Sequence, residues 1–135
     1  MTDDARVKSA IAHWAPRFIA NGIALADFQE VTAGINVWAD WCRAWCDRAA
    51  LHEEMGREAL ANKKFLTAGE HLQRAGVYYH FAKFMFVNDV PQMKDAHMRA
   101  VKCRNDALPY ITPVGERVEI PFEGKTLYGI LRKPP

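Results

Sequence analysis

Ser9 is the only serine in the 135-residue chain. It sits in the charged stretch "ARVKSAIA", with no G-x-S-x-G around it to lift a hydroxyl onto a sharp strand-to-helix turn, so no serine nucleophile is expected here. The three thiols are Cys42, Cys46 and Cys103. Cys42 and Cys46 stand four apart on one helical face, an awkward geometry for a disulfide, and no basic neighbour is spaced to activate either one. Both therefore read as small buried packing groups. His52, His71, His80 and His97 would be the metal ligands, but none forms an H-E-x-x-H pair and no C-x-x-C is present; "HEE" at 52–54 is the nearest imitation. No metal and no cofactor is expected, and glycine-rich phosphate loops are missing. What remains is aromatic: Trp38, Trp41 and Trp45 at positions i, i+3 and i+7, then "VYYHFAKFMF" at 77–86.

The elements that carry these residues follow from the periodicity. Val7, Ile11 and Trp14 recur at helical spacing until Pro16, which either breaks the helix or restarts it as a first-turn proline. Asn21 and Gly22 stop that segment, and Asp27 is placed to cap a brief helix to about Ala33, ended by Gly34. Asn36 then caps the longest helix, from Val37 to about Asn62, with Trp38, Trp41, Cys42, Trp45, Ala49, His52, Met55 and Ala59 on its apolar stripe. Thr67 and Glu70 form a capping box for the next helix, through about Val87. Small residues on both, including Ala49, Gly56, Ala75 and Gly76, let the two pack closely. Pro91 opens a further helix to about Ala107. From Val118 the period changes to alternation: Val118, Ile120 and Phe122, a turn at Glu123 and Gly124, and a return strand Lys125–Arg132.

Aromatic residues wrap most of the second long helix, more than one partner helix covers. Trp41 and Trp45 are assigned to the core. Tyr79, His80, Phe84 and Trp38 are the candidates for a substrate pocket. His80 has two open roles, orienting a polar group of a ligand or making a structural hydrogen bond. A two-stranded hairpin that is apolar on both faces needs more sheet than these residues contain, so the chain is expected to be the front portion of a longer protein.

With 18 basic and 16 acidic residues spread along the chain, the net charge of +2 leaves no electrostatic footprint for nucleic acid. "MTDDARVKSA" lacks the apolar segment of a signal peptide, and nothing approaches the ~18 apolar residues of a membrane span, so a cytoplasmic location is expected.

The segments "WADWCRAWCDRAALHEEMGREAL", "TAGEHLQRAGVYYHFAKFMF" and "ERVEIPFEGKTLYGILRKPP", in that order, resemble the N-terminal region of α/β-hydrolases related to 2,6-dihydroxypseudooxynicotine hydrolase. Fungal polyketide-shortening hydrolases and esterases of the fermentation-respiration switch type are similar. The likeness spans nearly the whole chain and about the first third of the family. It implies a mainly α fold, a helical cap over residues 1–112, with a hairpin and linker at 113–135 that begin an α/β-hydrolase sheet. It also implies a small-molecule acyl or ketone substrate, cleavage of an ester or activated carbon-carbon bond, a downstream hydrolase domain as partner, and a homodimer. The family's catalytic triad comes later, so no catalytic residue is carried over to this chain. The competing reading is a free-standing helical module of tetratricopeptide type that binds a peptide or partner helix in an aromatic groove.

Overall fold

The computed structural model describes residues 2–134. Five helices, α1 (Ala5–Ala20), α2 (Leu25–Ala33), α3 (Trp41–Ala61), α4 (Phe65–Lys83) and α5 (Val90–Ala107), are followed by an antiparallel hairpin, β1 (Gly115–Phe122) and β2 (Lys125–Arg132). Short 3-10 turns at Trp38–Asp40 and Leu108–Tyr110 lead into α3 and out of α5. Among the described residues no helix is long and apolar enough to cross a membrane.

Several helix boundaries differ from those the sequence suggests, each for a local reason. Pro16 lies inside α1, neither breaking nor restarting it. Its missing N–H would have bonded the carbonyl of Ala12, and both residues are exposed, so that carbonyl stays open to solvent. Asp4 caps α1 by accepting from the Arg6 amide at 2.9 Å, and its other oxygen accepts from the Trp38 amide at 2.8 Å. These bonds, the Trp38 amide foremost, hold the Asp4 carboxyl down at about 2. Asp27 is not a cap: α2 starts from Ala24, and Asp27 turns inward from the first turn. Asn36 does not cap α3 either, because the Trp38–Asp40 turn intervenes. Thr67 and Glu70 lie within α4, which begins two residues before Thr67, so there is no capping box. That helix also ends at Lys83, short of Val87, because Met85 takes the left-handed conformation (φ 59°) and the Phe86 amide folds back onto the Lys83 carbonyl at 3.1 Å. The α5 start holds, with Asp89 as its cap accepting from the Gln92 amide at 3.0 Å.

The core is an aromatic stack. Phe18 of α1 inserts between α3 and α4, its ring 3.8 Å from that of Phe81 and 5.4 Å from that of Trp45. Trp41 and Trp45 are buried, as assigned, and Trp45 meets Phe28 and the edge of Tyr78. Three glycines set how closely the backbones approach. A Cβ on Gly56 would lie 2.8 Å from the Leu72 side chain, and one on Gly76 would lie 3.3 Å from the Ala100 carbonyl of α5. On Gly69 it would come within 2.4 Å of the Tyr110 carbonyl oxygen. A second, smaller cluster of Leu72, Ala107, Leu108 and Ile111 lies at the root of the hairpin.

Residues 115–122 pair in register with 132–125, placing Val118 opposite Gly129 and Glu119 opposite Tyr128. The alternation read from the sequence therefore holds. Val118, Ile120 and Phe122 share a face with Leu127 and Leu131, while Arg117, Tyr128 and Ile130 occupy the other. The first face is largely uncovered: Ile120, Phe122, Leu127 and Leu131 are all exposed.

Candidate functional site

A groove of about 830 Å³ runs between the α4–α5 pair and the hairpin. Its apolar surface comes from Val77 and Phe81 of α4, Met98, Ala100 and Val101 of α5, and Ile130 of β2. Polar tips come from His80, His97, Arg104, Asn105 and Tyr128, with Arg117 laid over the Tyr128 ring at 3.9 Å. The volume falls within the range of small-molecule sites.

What aims α4 at this groove is a pair of tyrosine anchors on its opposite side. Tyr78 donates its hydroxyl to Asp27, which also receives Arg48 at 3.2 Å and faces His52 Nε2 at 3.4 Å. Tyr79 donates to Glu53 at 2.9 Å, which Arg57 holds from the next turn at 3.0 Å. Arg57 in turn reaches Asp106 on α5 at 2.7 Å. Every charge in these half-buried clusters has a partner, which is the condition for burying one. Burial raises the Asp27 carboxyl, but bonds from Tyr78 and His52 and the charge of Arg48 outweigh it and hold it below its ordinary value. Burial, then the bond to Asp27, pushes Tyr78 up to about 12, and burial with the Glu53 carboxylate drives Tyr79 higher still. Both phenols stay protonated donors. With Tyr78 and Tyr79 fixed inward, the helical rotation of about 100° per residue carries His80 out to the groove.

The four pocket candidates go to three places. His80 lies on the groove, where burial and the neighbouring charges of Lys83 and His97 lower its pKa. Tyr79 is fully buried, with the Arg99 guanidinium stacked 4.3 Å from its ring, and sits in the core away from the groove. Phe84 is half-buried beside His80, their rings 6.2 Å apart, and lies edge-on to Trp14 at 5.0 Å and to Phe81 at 5.9 Å. Trp38 is buried on Trp41 at 5.0 Å, donates its Nε1 hydrogen to Asn88 at 3.0 Å, and borders a smaller cleft of about 420 Å³ with Met85 and Val87.

Residues that sequence reasoning passed over supply most of the groove: Val77, Met98, Val101, Arg104, Arg117 and Tyr128. On α5 a signal was available. Ala96, Ala100, Cys103 and Ala107 form the small buried stripe, and Met98 and Val101 form a second apolar stripe turned out of the bundle. A helix with two apolar faces has two things to cover.

Neither Ser9 nor Cys103 is placed as an activated nucleophile, and a hydrogen bond with Cys46 lowers the pKa of the buried Cys42 thiol. Ser9 Oγ lies 3.3 Å from His13 Nδ1, a pairing one helical turn apart that the sequence reading missed. That nitrogen is also 2.9 Å from the Ser9 carbonyl oxygen, an acceptor only, so Nδ1 carries the hydrogen and does not serve as base for the hydroxyl. Cys42 and Cys103 are buried, Cys46 is half-buried, and all three thiols are free. Burial, first among its causes, pushes the Cys103 thiol up to about 12. Among the described residues no three metal-binding side chains converge.

No protein-family model matches the chain, and no curated protein matches it either. Among solved structures it is similar to 2,6-dihydroxy-pseudo-oxynicotine hydrolase, at 24% sequence identity and a TM-score of 0.77. The match covers 91% of this chain and 34% of that one, so the chain spans about a third of the length of the hydrolase. The bundle and its terminal hairpin thus have the fold of that third of a hydrolase.

Proposed function

We propose that this chain is the substrate-enclosing cap of a serine α/β-hydrolase that cleaves an ester or an activated carbon-carbon bond beside a ketone. Residues 1–112 form the cap in this reading, and 113–135 begin the catalytic sheet, with the nucleophile, base and oxyanion hole supplied from outside this chain. The observation that carries the reading is the likeness in fold, across nearly the whole chain, to one third of a hydrolase. Two features support it. The hairpin is apolar on both faces, and its outer face is uncovered, as suits strands that continue into a larger sheet. The groove offers an apolar wall with a few polar tips, the form of surface that excludes water and strengthens the electrostatic stabilisation that acyl transfer needs.

The test is to express the complete reading frame that contains these residues and to assay it against aryl esters and 1,3-diketones. A fluorophosphonate probe run alongside labels any activated serine. Turnover, with the label on a serine other than Ser9, is the expected result. A product without hydrolysis and without label would refute the proposal.

A further inference from the structure

The groove is electrostatically one-sided. Its lining includes three fixed cations, Lys83, Arg104 and Arg117, together with His80 and His97, and no carboxylate. On the other side of α4 the bundle holds a chain of close ion pairs, although Arg17, Lys63, Lys64, Arg74 and Lys94 also stand without one among the described residues. Arg48 meets Asp27 and Glu30, Arg57 meets Glu53 and Asp106, and Lys102 meets Asp106 at 2.7 Å. On α5 the division is sharp: Asp106 turns toward Arg57 and Lys102, while Arg104, two residues earlier, turns into the groove. Among the described residues Lys83, Arg104 and Arg117 have no ion-pair partner within 4.0 Å. Between these cations run Val77, Met98, Val101 and Ile130, of which Met98 (64% exposed) and Val101 (38%) present apolar surface that nothing among the described residues covers.

The geometry points to an amphipathic organic anion as the ligand of this groove: a molecule with an apolar body carrying a carboxylate or an acidic phenol. Under the cap reading, on which this inference rests, the substrate is then an anionic ester or ketone rather than a neutral one. The apolar body lies along Val77, Met98, Val101 and Ile130, and the anionic end meets Arg104, whose backbone packs beside Gly76, two turns along α4 from Lys83. Arginine offers a forked donor set that matches a carboxylate, and a charge-assisted bond in a partly desolvated groove is stronger than one in open water. His80 is held neutral near pH 7 by its surroundings and supplies a hydrogen bond rather than a charge.

The test uses the 135-residue chain, labelled with nitrogen-15 and titrated with 2-naphthoate, with 2-naphthylmethanol as the neutral isostere, and with orthophosphate. Naphthoate is expected to shift the amides of Gly76, Val77, Val101 and Gly129, and to bind about tenfold tighter than the alcohol at low salt, the order of one charge-assisted hydrogen bond. Orthophosphate, which lacks the apolar body, should bind more weakly than naphthoate. Lys83→Gln with Arg104→Gln should bring naphthoate down to the level of the alcohol and leave the alcohol unchanged. Arg104→Lys, which keeps the charge, should retain part of the preference. Equal affinity for naphthoate and the alcohol would overturn the assignment, as would orthophosphate matching naphthoate, shifts that map elsewhere, or indifference to the double substitution. The two readings fail separately. Hydrolysis of neutral esters by the complete protein with no anion preference removes only the ligand class, whereas naphthoate binding by a protein without hydrolase activity removes only the cap.

Discussion

Gly69→Ala sets two rules against each other. Gly69 lies inside α4, and an alanine in a helix interior is worth about 1 kcal/mol over glycine, so helix propensity predicts stabilisation. Packing predicts the opposite. The added Cβ would stand 2.4 Å from the Tyr110 carbonyl oxygen and 2.7 Å from its carbon, both backbone atoms that no rotamer change moves aside. Overpacking of this kind costs ~1–3 kcal/mol, and a backbone obstacle places it at the upper end. The net expectation is a loss of about 1–2 kcal/mol, or a urea midpoint lower by roughly 0.5–1 M for a domain of this size. Tryptophan fluorescence during urea unfolding reads it, since Trp41 and Trp45 lie in the core. Gly34→Ala is the control: its new methyl would meet nothing nearer than a carbonyl oxygen at 3.6 Å, and the midpoint should barely move. The substitution at Gly69 also bears on the groove, because the Tyr110 turn that rests on Gly69 leads into the hairpin that walls it. A midpoint raised by the full propensity gain would show that the turn does not rest on α4, and the reasoning would fail.

Burial lowers the pKa of His52 below its ordinary 6.5 and outweighs the bond to Asp27; the charge of Arg74 and the ring of His71 push the same way. The unfolded chain then binds protons first, so stability is full above about pH 6.5 and declines as the pH falls below it. Urea midpoints at pH 7.5 and 5.5 should show that decline, and His52→Gln should reduce it. Asp27 acts in the same direction only below its ordinary 3.8, outside that range. In native-state hydrogen exchange the amides of β1 and β2, paired only with each other, should exchange faster than those of Trp41–Ala61; equal protection would show that the hairpin is covered within this chain. The 135-residue chain should not hydrolyse p-nitrophenyl acetate above background, and activity that disappeared with Ser9→Ala would contradict the Ser9–His13 geometry described above.

The chain's periodicities announce its elements well and its junctions poorly. The tryptophan stripe and the alternation from Val118 each carry a repeating signal over many residues; the strands form as read, and the helix forms from Trp41 onward, with Trp38 left on the 3-10 turn before it. Caps rest on one or two side chains, and tertiary demand overrides them. Asp27 is drawn inward by Tyr78, and Thr67 is absorbed into a helix that starts earlier to lay Gly69 against Tyr110. The groove was legible in part. His80 stood out as a polar tip in an aromatic run, but adjacent residues on a helix face different ways, so composition did not separate His80 from Tyr79. That separation depends on which carboxylates meet the tyrosines, Asp27 and Glu53, 51 and 26 residues away in sequence. Arg117 and Tyr128 reach the groove only because the hairpin stands across it from α4 and α5, a long-range arrangement that leaves no local pattern.

The central claim, that the groove walled by α4, α5 and the hairpin encloses the substrate of a hydrolase, is tested most directly by the specificity constant of the complete protein with the groove narrowed. Val77→Trp fills the groove from α4, and His80→Ala removes one of its polar tips. The account predicts that each shifts the ratio of kcat/KM between a short and a bulky acyl substrate by about tenfold or more while the melting temperature stays near that of the wild type. An unchanged ratio in both variants, or activity that falls only in proportion to stability, would contradict it.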